Sequence, residues 1–297
     1  MPHQLDPGRT LDPMALRINY NFESVSAQRN LSGTQASFAK AIEQLSSGLR
    51  INKAADDAAG LAVSEKLKNQ VRGLNQAQRN AQDSISLLQT AEGALNETHS
   101  ILARMRELAV QSSNDTLTNA DRLHIQDEVN QLLSEVDRIA ASTQFNTIPL
   151  LDGTGAASLK FHVGANRESG DAANELTFTL GDASTAGISI ANLATGTAQS
   201  LTTQSGSNAA ISVLDTAIED ISSRRGAIGA MQNRLTSTIN SLGVAAENTG
   251  AANSRIRDAD VAQAVSEMTR NQILQQATMA VLAQANQAPQ MALQLLK

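Results

Sequence analysis

The residues best spaced for chemistry are two pairs of acids, Asp56-Asp57 within the stretch INKAADDAAG, and Asp258 with Asp260. Neighbouring carboxylates can share a proton or offer oxygens to a hard cation. Each pair also stands just ahead of a helical pattern, where an aspartate accepts hydrogen bonds from the free N–H groups of a first turn. Helix capping within a solvated spacer is the reading adopted for both. Of the four histidines, His3, His99, His124 and His162, none begins a His-Glu-x-x-His spacing. Cysteine is absent, which excludes disulfides, thiol catalysis and thiolate metal sites together. No nucleophile, base and orienting group come together, so the chain reads as a non-enzyme with no cofactor and no metal. The sequons at Asn30, Asn96 and Asn114 fall in helical or turn patterns, and the Ser and Thr residues of 184–207 are better candidates for O-linked modification.

The elements around these residues are long helices. Leu67, Leu74, Ala81, Leu88, Leu95, Leu102 and Ala109 form an unbroken seven-residue series, with Ala77, Ala91 and Met105 among the positions three residues further on. Such a repeat lays an apolar seam along a helix of about 60 Å, which must bury itself against other long helices. The chain has no tryptophan, one tyrosine and five phenylalanines, so its core is expected to be thin layers of Leu, Ile and Ala. A net charge of −6 with scattered Lys and Arg argues against nucleic acid. No apolar run reaches the roughly 20 residues that cross a bilayer, so membrane insertion is not expected. The start lacks the charged-then-apolar order of a cleaved signal, so a secreted product would need another export route.

Residues 1–13 hold Pro2, Pro7 and Pro13 and repeat Leu-Asp-Pro. They read as a leader, either a cloning remnant or an overlong gene start with Met14 the natural first residue, or simply as a disordered terminus. A helical pattern from Ile18 to about Leu49 carries Ile18, Phe22, Val25, Leu31, Phe38 and Leu45, followed by the acidic spacer 51–60. After the central helix, Ile125, Val129, Leu132, Val136 and Ile139 mark a second helix, read as antiparallel because the connection is short. Lys160–Val163 and Leu176–Leu180 read as the arms of a β-hairpin, and the rest to Gly206 as loop or weak strand. Heptads resume at Leu214, Ile221, Ile228, Leu235 and Leu242, with Arg225 and Gln232 also on the seam. A polar spacer over 253–260 precedes a last helix from Val261 to about Gln287, with Val265, Met268, Ile273, Ala277, Val281 and Leu282, before Pro289. The fold class is therefore mainly α, an elongated antiparallel helical bundle or coiled coil with a small hairpin-bearing insert. The order is mirrored about its middle, so both ends are expected to meet at one pole and leave apolar residues there for another copy.

The chain resembles the bacterial flagellins, of the short kind. The resemblance rests on Met14–Asn19, Leu45-Ser-Ser-Gly-Leu-Arg-Ile-Asn52, Lys53–Ala62, Arg104-Met-Arg-Glu-Leu-Ala-Val-Gln-Ser112, Thr143–Asn146, Ala252–Asp260, Asn271–Ala277 and Leu282–Gln287, in family order. It implies export by the flagellar type III apparatus with a chaperone, and polymerisation at the tip under a filament cap, beyond the hook-associated proteins. The implied parts are terminal coiled-coil segments 14–52 and 253–297, core helical segments 53–158 and 209–252, and a reduced variable region 159–208. A smooth extracellular filament for swimming would follow. Some flagellins carry a zinc peptidase in that region, and the histidine spacing excludes it here. The family's contacts with the flagellin-sensing Toll-like receptor map onto Arg104, Leu108 and Glu128, the first two on one helix face. The alternative within the flagellum is a hook–filament junction protein.

Overall fold

The computed structural model describes residues 20–154, 158–166 and 174–294, with side chains to residue 287. Ile18 and the 1–13 segment lie outside the described residues. Apolar periodicity becomes five helices: α1 Phe22–Ser47, α2 Ala58–Ser112, α3 Asn119–Ser142, α4 Gln204–Arg257 and α5 Val261–Gln294. α2 and α4, of 55 and 54 residues, are each about 80 Å long. The described residues form two compact units, one within 20–66 and 252–294, the other within 67–251.

In the 67–251 unit, α2 and α4 run antiparallel, as cross-links from Glu92 to Gln232, Arg106 to Asp215 and Ser112 to Ser207 require. Along their seam Leu88, Leu95, Leu102, Leu214, Ile221, Ile228 and Leu235 are at most 1% exposed. Leu74 and Leu242 join Ala77 in a smaller separate cluster, and Leu67 is half-buried. The turn after α2 reverses the chain, and Thr118 with Asp121 closes a reciprocal capping box that starts α3. α3 then returns along α2 and buries Val129, Leu133 and Val136.

Between α3 and α4 the chain makes two small antiparallel hairpins. β1 (Gln144–Phe145) pairs with β2 (Ile148–Pro149) around Asn146-Thr147, both at positive φ, the backbone that suits a two-residue turn. The sequence pattern does not announce this first hairpin. β3 (Leu159–His162) pairs with β4 (Glu175–Phe178), with Phe161 opposite Leu176. The following segment is neither free loop nor strand. It carries a 3-10 turn at Ala191–Leu193 and buries Leu180, Ala183, Ile188, Ile190, Leu193 and Leu201 in the main core.

Several helix limits differ from the sequence expectation, the first being α2, which starts at Ala58 inside the expected 51–60 spacer. α4 starts at Gln204 rather than after Gly206, because Gly206 packs against Ser200, whose carbonyl oxygen would lie 2.2 Å from any Cβ there. α4 also continues through Asn253 to Arg257, so the second polar spacer shrinks to 258–260. α5 passes Pro289 and reaches Gln294.

Candidate assembly site

α1 and α5 form an antiparallel pair. At one end Gly48, in the left-handed region at φ 70°, ends α1 and accepts Ala259 N–H on its carbonyl at 2.9 Å. Beside it Arg50 N–H donates to the Arg257 carbonyl at 2.7 Å, and the Arg50 guanidinium donates to the Ile256 carbonyl. At the other end Ser24 Oγ donates to Asn286 Oδ1 at 2.8 Å. Ala27, Ala41, Ala264 and Ala285 are buried in this unit, and methyl-sized side chains let the two backbones approach closely.

A two-helix pair covers only one stripe of each helix, so larger apolar side chains remain outside. Phe22 is 70% exposed, Ile273 61% and Val281 58%, with Val25, Val265 and Ala277 also exposed. Leu31, Phe38, Leu45, Met268 and Leu282 are half-buried. Ile273, Ala277 and Val281 step by four and share a face of α5. Tyr20, Ile42, Leu274 and Met279 are exposed as well and were not among the sequence candidates. They fall between the heptad steps used to find the others.

The acid pairs divide their work. Asp57 caps α2 by accepting Gly60 N–H at 2.8 Å, and Asp260 caps α5 by accepting Ala262 N–H at 2.9 Å. Asp56 instead pairs with Lys40 at 2.8 Å and accepts the Asn52 and Lys53 N–H groups. The Lys40 ammonium first, then the Lys53 N–H, hold its carboxyl below the ordinary aspartate range. Asp258 accepts Ser254 Oγ–H at 2.6 Å. These bonds use the oxygens a cation would need, and among the described residues no group of three metal-ligating side chains occurs.

The face joining α2 and α3 carries Arg104, which pairs with Glu128 at 2.9 Å and Glu107 at 3.2 Å. Glu128 and then Glu107 raise its already high pKa. Leu108 does not share that surface. It is 2% exposed within the main core, three residues after the fully buried Met105 and so beside it on the inward stripe of α2. The sequence reading also missed Arg122 and Gln126, 6% and 1% exposed. Arg122 donates to the carbonyls of Ser112 and Asn114 at the end of α2, and Gln126 binds the 193–201 segment. Neither leaves a signal in spacing, since each answers backbone groups elsewhere in the fold.

Two family models match, the bacterial flagellin N-terminal helical region over residues 18–156 and the C-terminal helical region over 211–296. A flagellin of Halalkalibacterium halodurans is 51% identical over 94% of this chain and 99% of its own length. The chain belongs to the bacterial flagellin family. A Bacillus subtilis flagellin is 45% identical over 95% of this chain and its own full length. A solved chain from Vibrio parahaemolyticus, described as a flagellar hook-associated protein, shares the fold alone, at 14% identity and a TM-score of 0.55 over 68% of this chain and all of that one. This flagellin is accordingly a structural subunit of the extracellular flagellar filament, polymerising with its own copies, and not an enzyme. No finding favours the hook–filament junction alternative. Among the described residues no helix is long and apolar enough to cross a membrane.

Proposed function

We propose that the apolar side chains left outside the α1–α5 pair are the contacts that hold one flagellin subunit to the next. The exposure of Phe22, Ile273 and Val281 carries this reading, since large apolar groups left in water on paired helices gain most by meeting a second copy. Residues 14–52 and 253–297 are then the terminal coiled-coil segments, 53–158 and 209–252 the core helical segments, and 159–208 the reduced variable region. Export by the flagellar type III apparatus, an export chaperone, the filament cap and the hook-associated proteins belong to the same reading, through family membership. Purified chain seeded with short filament fragments should grow long filaments in negative-stain electron microscopy. A chain lacking residues 14–50 and 261–297 should not. Growth without those segments, or only short rings from the full chain, would overturn the proposal.

A second reading concerns the flagellin-sensing Toll-like receptor. Arg104 and Glu128 are charged, about half exposed and already fixed in one geometry by their mutual ion pair, which makes them a preorganised polar anchor. Leu108 acts from beneath, by holding that stretch of α2 in place. Arg104→Ala is expected to weaken receptor activation about tenfold with the unfolding temperature unchanged, whereas Leu108→Ala lowers the unfolding temperature. Unchanged activation by Arg104→Ala would remove the receptor role from this face.

A further inference from the structure

α5 continues through Pro289 to Gln294. In an α-helix the N–H of residue 289 would bond the carbonyl of Ala285, and proline has no N–H to give. That carbonyl accepts instead from Asn21 Nδ2 at 2.8 Å, across 264 positions of sequence. The same side chain caps α1, with Oδ1 accepting Ser24 N–H at 3.0 Å. One amide thus uses its acceptor on α1 and its donor on α5.

We infer that Asn21 and Pro289 form a register lock for the terminal helix pair. The proline opens one carbonyl at a single level of α5, and Asn21 closes it. At neighbouring levels of a regular helix the carbonyls are occupied by the helix's own N–H groups. A slide of one turn, about 5.4 Å, would leave the Asn21 donor without that acceptor and the Ala285 carbonyl open. Ser24 and Asn286, bonded at 2.8 Å beside it, lose their pairing in the same slide. On the assembly reading above, the lock therefore fixes the axial offset between the outward apolar side chains of α1 and those of α5, and so whether successive subunits meet in one geometry.

The test is a double-mutant cycle read as the critical concentration for seeded filament growth. Asn21→Ser keeps a capping oxygen on α1 but is too short to reach α5. It is expected to raise the critical concentration about fivefold, the loss of one bond to a carbonyl that no other group closes. In a Pro289→Ala background, where residue 289 supplies its own N–H to Ala285, the same substitution should raise it less than about twofold. An equal penalty in both backgrounds, or no penalty with Pro289 present, overturns the lock. Should Asn21→Ser abolish growth outright, growth of the Asn21→Ser/Pro289→Ala chain supports the lock and its failure to grow overturns it.

Discussion

Ile273→Asp is expected to leave the helices of the soluble subunit intact and to stop filament growth. Ile273 is 61% exposed in the middle of α5, so the subunit alone loses little packing when it is replaced. Aspartate costs about as much as other polar residues in a helix interior, a few tenths of a kcal/mol relative to isoleucine. In a filament the same position is proposed to be covered by another copy. There the substitution forfeits about 1–2 kcal/mol of apolar burial and adds the cost of enclosing an unpaired carboxylate, at least about 2 kcal/mol more. The total, about 3 kcal/mol or above, corresponds to a critical concentration raised at least about a hundredfold. Sedimentation after seeding measures it, and circular dichroism checks that helix content is unchanged. Normal growth of the Ile273→Asp chain would show that this face of α5 is not an assembly contact.

The long helices were legible because apolar side chains recurring at heptad spacing leave a chain few other ways to bury them. Leu88, Leu95 and Leu102 on α2 and Leu214, Ile221 and Leu235 on α4 meet in one core, as their spacing requires. Lys160–Val163 and Leu176–Leu180 were legible as hairpin arms through alternation alone. What escaped depends on partners far away in sequence. Pro289 is a sound local stop signal, and it fails because Asn21 satisfies the carbonyl that the proline leaves open. Gly206 looks like a loop marker, yet its lack of a Cβ serves the approach of Ser200 inside the first turn of α4. Asn146-Thr147 lacks the glycine that usually announces a tight hairpin turn. Leu108 is a surface contact by resemblance, against its position three residues after the seam residue Met105.

Gln126→Leu is expected to be the most damaging single change of a polar residue in the 67–251 unit. Its Oε1 accepts the Leu201 N–H, and its Nε2 donates to the Leu193 carbonyl at 2.8 Å and to Asn130 Oδ1 at 3.0 Å. Asn130 in turn donates to Thr195 Oγ1 at 2.7 Å, so one buried amide governs the docking of residues 193–201 onto α3. Leucine fills much the same volume and pairs with neither backbone group. Two buried groups left without partners cost about 1–3 kcal/mol each, and extra apolar burial returns only part of that. A net loss of about 3 kcal/mol lowers the unfolding midpoint of a unit this size by about 10 °C. Hydrogen exchange separates docking from general destabilisation: the Leu201 amide should lose protection in Gln126→Leu beyond the fall seen at Leu95 in the main core. Equal loss at both positions would mean that Gln126 supports the whole core, and that the 193–201 segment has no separate anchor there.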